Sequence, residues 1–194
     1  MKMKFSLGVL VLGACCFTGV RAQTSETANV PETGVMVSPA KAMDEMLSMF
    51  EHEVTGVAQA MPADKYGFAP MSGAIAGSKF AGVRTFASEV THIASANFYF
   101  AMTVSGTKPD VDMKTIGKMT SKDDCLKALA ESFAFAHKAM ATITTANAFE
   151  SIQGVDGLHT RVEVAAFIAA HGFDHYGQMV EYLRMNGIVP PGSK

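Results

Sequence analysis

Apolar side chains recur at intervals of three and four residues in four separated stretches of this 194-residue chain, and no stretch sustains period-two alternation. Only a helical turn of 3.6 residues brings positions i, i+3, i+4 and i+7 to one face, so the pattern predicts amphipathic helices. The first stretch opens at Ser38-Pro39, a hydroxyl N-cap followed by proline at a position whose N–H has no helical partner. Met43, Met46, Leu47, Phe50, Val54 and Val57 continue it, which predicts a helix over Pro39–Met61 closed by Pro62. The second runs from about Gly82 to Val104 on Val83, Phe86, Val90, Ile93, Ala96 and Phe100, before Gly106, Pro109 and Asp110 break the chain. Thr120–Asp124 supplies N-cap and capping-box chemistry for a third, which Leu126, Leu129, Phe133, Ala136, Met140 and Ile143 carry to about Ala146. Gln153–Gly157 reads as a turn. The fourth helix starts at the box Thr160–Glu163 and runs to Asn186, with Gly187 as its cap and Pro190-Pro191 blocking extension. The expected fold is all-α, a four-helix bundle with long connections, over residues 38–194.

Residues 1–22 read as a secretory signal peptide. Lys2 and Lys4 precede an apolar run from Phe5 to Val20, and Val20-Arg21-Ala22 offers small residues for cleavage before Gln23. A membrane span needs about 20 apolar residues, more than this run supplies. Leu12-Gly13-Ala14-Cys15 also resembles a lipobox, making lipid anchoring at Cys15 the alternative, but the apolar run continues through Cys16 and Phe17. Residues 23–37 are polar and read as a flexible lead-in. The expectation is an exported chain, periplasmic or secreted, with no membrane span after cleavage.

Charge and cysteine content exclude other classes. The formal charge is −2, and cleavage would leave 13 basic against 18 acidic residues, a formal −5. Without a Lys/Arg cluster, nothing favours a nucleic-acid partner. Only Cys125 would remain after cleavage, so no internal disulfide braces the fold. Cys125 has no nucleophile motif around it and reads as a buried, inert thiol. No phosphate-binding loop or nucleophile elbow is present.

Among the six histidines, His171 and His175 stand out. At i, i+4 on a helix they lie roughly 40° apart and about 6 Å along the axis, close enough for both rings to meet one cation. The spacing alone is weakly specific, but Val164, Ile168, Gln178 and Tyr182 share the stripe and turn it toward the bundle interior. Buried imidazoles need partners, and a metal would satisfy both. A third ligand should come from a facing helix. His92, between Val90 and Ile93, leads; a lone core histidine is its plain alternative. His52, between Glu51 and Glu53, ranks lower because its setting is charged, while His137 reads as a surface position and His159 as a loop position.

Two motifs then carry a family resemblance. They are Val90-Thr91-His92-Ile93-Ala94-Ser95-Ala96-Asn97 and His171-Gly172-Phe173-Asp174-His175-Tyr176-Gly177-Gln178, the second continuing to Pro191. Over residues 40–192 the chain resembles the DinB-like (YfiT-type) metal-binding four-helix bundles. The resemblance implies a metal triad of His92, His171 and His175, holding a divalent transition metal such as Zn or Ni. It also implies a homodimer as a common state. Some relatives are thiol-dependent transferases or isomerases, and many have no established activity. The chain departs from the pattern in its signal peptide and in lacking the Trp that often precedes the first ligand.

Three protein ligands leave a coordination position open, where a closed structural zinc site uses four. The expected function is therefore metal-dependent hydrolysis or thiol transfer on an unidentified small molecule; the alternative is a bundle that binds metal or ligand without turnover. Gln178 could contact a metal-bound ligand, and Glu89, one turn before His92, could orient an imidazole or accept a proton; for each, a polar rim position is the plain reading. Because ligating imidazoles must be neutral, metal affinity should fall below about pH 6.5.

Overall fold

A computed structural model of the chain describes residues 32–71 and 76–193. The expected signal peptide and most of the lead-in lie outside the described residues. The chain divides into two units, Met1–Val35 and Met36–Lys194. Of the first, residues 32–35 are described, with the Val35 N–H donating to the Glu32 carbonyl at 3.1 Å.

Among the described residues the second unit holds five α-helices: α1 (Pro39–Ala60), α2 (Phe86–Ser105), α3 (Met113–Ile116), α4 (Lys122–Met140) and α5 (Arg161–Met185). Two strands, β1 (Ser151–Val155) and β2 (Leu158–Thr160), form an antiparallel hairpin between α4 and α5. α1 packs on α4 and α5, and so does α2, so the four long helices close a ring with α1/α2 and α4/α5 across its diagonals. The expected helical bundle is therefore present. No helix among the described residues is long and apolar enough to cross a membrane.

Local chemistry accounts for the helix starts. Ser38 accepts from the Lys41 N–H, with Pro39 at the first helical position. Ser121 accepts from Asp124, and Thr160 and Glu163 close a full capping box. Thr85 caps α2 by accepting from Ser88. The helix thus begins four residues later than the apolar spacing predicts, and Val83 stays outside it, 40% exposed. The loop before α2 also serves its first turn: the carbonyls of Phe68 and Tyr66 each accept at 2.8 Å, from the N–H groups of Phe86 and Ala87.

The third predicted helix overruns. α4 stops at Met140 because side chains compete for the backbone beyond it. Asn147 Oδ1 takes the Thr144 N–H at 2.7 Å, and Asn147 Nδ2 donates to the Thr142 carbonyl at 3.1 Å. The hairpin replaces a simple turn. Asp156 (φ 51°) and Gly157 (φ 84°) both take positive φ, as a two-residue primed turn requires, and Val155 pairs with Leu158 across it. The strands are five and three residues long and their register shifts within β1, so no alternation could build up.

Aromatic rings fill the core. Phe50 lies between Phe133 and Phe173, with centroids at 5.4 and 5.2 Å. Gly172 on α5 is what admits it: a Cβ there would stand 2.0 Å from Phe50 Cζ. A polar link crosses the core from Asn97 Nδ2 to Ser132 Oγ at 3.2 Å. Cys125 is buried, and burial, with the Asp124 charge behind it, raises its thiol to about 11, so it remains protonated and inert.

Candidate metal centre

α2 carries Glu89 and His92 one turn apart; α5 carries His171 and His175 one turn apart. Packing α2 on α5 brings the two pairs together. His92 Nε2 lies 3.2 Å from His171 Nε2, and His175 Nε2 lies 3.3 Å from the same atom. Ring centroids are 4.4 Å apart for His92–His175 and 4.7 Å for His171–His175. Each histidine offers one ligand atom, and the three atoms fall within 4.8 Å of one another. His175 is buried; His92 and His171 are half-buried.

The spacing suits a metal. Three nitrogens at 2.0–2.1 Å from a tetrahedral ion stand about 3.3–3.4 Å from each other, from the geometry of that coordination sphere. The His92–His171 and His171–His175 separations, 3.2 and 3.3 Å, lie close to that figure. Protons suit the cluster less well. His175 Nδ1 lies 2.8 Å from Glu89 Oε2, a carboxylate placed to accept its N–H and leave Nε2 toward the cluster. A single proton on His171 Nε2 can serve only one of its two nitrogen neighbours, whereas a central cation serves all three.

Electrostatics keep two of the rings ready to ligate. Burial, the Arg84 charge and the other two histidines pull His92 down to about 4. Burial and the His175 charge lower His171, with Arg84 adding to the effect. Both are neutral near pH 7, as metal ligands must be. Phe100 and Phe167 pack beside His171, with centroids at 5.4 and 5.8 Å, and exclude water from that side.

Glu89 is more than a rim residue. Its side chain is fully buried, one oxygen faces His175, and Oε1 has no hydrogen-bond partner among the described residues. Gln178 keeps to the plain reading of a polar rim position. Its amide points to Asp174 Oδ2 at 3.4 Å on the outer face, so it does not serve the cluster. His52 is exposed and His159 lies exposed on β2, away from the three rings. His137 bridges two carboxylates of α1 and is not the simple surface position expected.

Sequence reasoning missed Arg84, Phe167 and the abutment of Phe50 on Gly172. Arg84 precedes the α2 cap, where no periodicity applies. Its carbonyl accepts from Tyr182 Oη at 3.1 Å, which ties the entrance of α2 to α5. The small residue beside His171 was visible as a glycine; the ring that needs it lies 122 positions away.

Fold and site together define a helical-bundle protein with a three-histidine cluster able to hold a metal ion. The family model of the DinB superfamily matches residues 46–179. The chain belongs to the DinB superfamily. A solved structure of a DinB-like protein from Bacillus cereus shares the fold with a TM-score of 0.65 at 14% identity, over 79% of this chain and 97% of that one. No curated protein matches the chain.

Proposed function

We propose that His92, His171 and His175 bind a divalent transition metal, zinc or nickel by donor type, and that a small molecule reacts at the remaining coordination position. The observation that carries this reading is the meeting of three imidazoles whose ligand atoms lie within 4.8 Å of one another, two of the Nε2 separations at 3.2 and 3.3 Å, with a buried carboxylate behind one ring. Bound there, the ion would supply Lewis acidity that eases loss of a proton from a water or a thiol.

The protein's own groups do the rest. Glu89 holds the Nδ1 proton of His175 and thereby fixes which nitrogen faces the centre. Phe100 and Phe167 keep the His171 side dry, which strengthens electrostatic effects at the cluster. Arg84 has no ion-pair partner among the described residues, and its charge reaches His92 and His171, which favours an anionic ligand. These features support hydrolase or thiol-transferase chemistry. The position of Gln178 favours the rival reading, metal or ligand binding without turnover, because it removes one candidate contact to a reacting group. Residues 1–22 are proposed to direct export, and the N-terminal residue of the mature protein tests this.

Metal analysis and calorimetric titration of zinc or nickel test the site. The expected result is one ion per chain in the native protein and none in the His171→Ala variant. A native protein that takes up neither ion, with unchanged melting, would overturn the metal reading. A screen of thiols and small esters comparing native protein with His175→Ala then tests turnover; equal background rates would leave the binding-only reading.

A further inference from the structure

Outside the three-histidine cluster, His137 joins α4 to α1 through both of its ring nitrogens. Nδ1 lies 2.6 Å from Asp44 Oδ1, and Nε2 lies 2.9 Å from Glu51 Oε2. Asp44 and Glu51 are seven residues apart, two turns along one face of α1, and the imidazole spans the interval between them. A neutral imidazole carries one N–H. It could donate to one carboxylate, while its bare nitrogen would set a lone pair against the other at hydrogen-bond distance. Both contacts are attractive only when both nitrogens are protonated.

We propose that His137 is a protonated bridge that locks α1 to α4, and that this lock opens as the ring loses its proton at rising pH. Three further observations agree. His137 sits in the last turn of α4, where the helix dipole favours a cation. Its side chain is only 29% exposed, so solvent screens the pair less than at an open surface. Partial burial opposes the charge, but the hydrogen bonds and charges of Asp44 and Glu51 outweigh it and hold the ring above the ordinary imidazole value. α2, the other helix packed on α4, presents no competing charge: its ionisable Glu89 and His92 contact His175 and His171 instead.

The lock stands whether or not the three-histidine cluster holds a metal, but its position gives it reach. Phe50, adjacent to Glu51, packs against Phe133, one turn before His137, and its tip rests on Gly172 beside His171. α1 is thus held at one seam by the bridge and abuts the site helix at the next. The direction follows from linkage. A folded-state value raised above about 6.5 contributes stability that is complete below that pH and is lost as pH rises through the raised value.

An NMR titration of the histidine ring protons in the full chain tests the proposal, with the His137 signal identified by its loss in His137→Gln. The expected result is a His137 midpoint above the ordinary value that falls in both Asp44→Asn and Glu51→Gln. Melting curves give a second readout. Native protein should melt about 2–4 °C above His137→Gln at pH 6, for each kcal/mol the bridge supplies in a domain of this size, with the gap narrowing as pH rises through the raised His137 value. A midpoint at or below the ordinary value, or a melting gap that does not change with pH, would overturn the proposal.

Discussion

Substituting Gly172 by alanine should destabilise the protein, although alanine is the better helix former. Gly172 lies inside α5, and its added Cβ would meet Phe50 Cζ at 2.0 Å and the two Cε atoms at 2.5 and 2.6 Å. Ordinary contact begins near 3.4 Å, so the ring must retreat by about 1.4 Å. It has nowhere to go: Phe50 is fully buried, with Phe133 and Phe173 against it. Overpacking of this kind costs about 1–3 kcal/mol, and blocked relaxation places this case at the upper end. The glycine-to-alanine exchange returns about 1 kcal/mol of helix propensity. The net loss is about 2 kcal/mol, or about 4–8 °C in melting temperature. Gly177 provides the control within the same helix, since it is exposed and a Cβ there meets nothing within 4 Å. Gly177→Ala should therefore raise the melting temperature by about 2–4 °C. Differential scanning calorimetry of both variants decides the matter. If Gly172→Ala melts at or above the native temperature, close packing of α1 on α5 is not what the glycine provides. A Phe50→Leu change should also cost less in the Gly172→Ala background than alone, because the two sites are in contact.

Two predictions concern the histidine cluster. Glu89→Gln should weaken zinc or nickel binding by about 10–100-fold in a calorimetric titration, because it removes the anionic partner of His175 Nδ1; unchanged affinity would count against Glu89 as an orienting group. Proton competition should set in later than for free imidazoles. His92 is pulled down to about 4 and His171 is lowered, so both rings take up protons at lower pH than ordinary imidazoles. Affinity measured from pH 7 to 4 should fall at lower pH than free imidazoles, with their value of about 6.5, would set; a loss centred at about 6.5 would refute the lowering of His92 and His171.

Much of the architecture was legible because it depends on short-range signals. Ser38-Pro39, Ser121–Asp124 and the Thr160–Glu163 box each mark a helix start within four residues, and the apolar spacing reports the face that must be buried. The errors fall where a distant or competing partner decides. Val83 and Phe86 both fit the period of the second helix, but the Thr85 hydroxyl sets its start. Met140 and Ile143 fit the period of the third, but Asn147 captures the backbone that would have extended it. The i, i+4 spacing of His171 and His175 was readable within one helix, and His92 followed as the apolar-flanked histidine on another. The pairing of Glu89 with His175 was not readable, because its alignment arises from the way α2 docks on α5. His137 was misjudged for the same reason, since Asp44 and Glu51 approach it from 93 and 86 positions away.

His92 and His171 are separated by 79 positions, and that interval includes α3, α4 and the hairpin. An ion held between them would tie the two ends of a large closed segment, restricting the unfolded ensemble much as a covalent cross-link does. It could also engage only after α5, the last helix of the bundle, has docked. A nascent chain released before that helix emerges would have one of the three rings and no grip on the cation, so metal retention would report that α5 had been made and had docked.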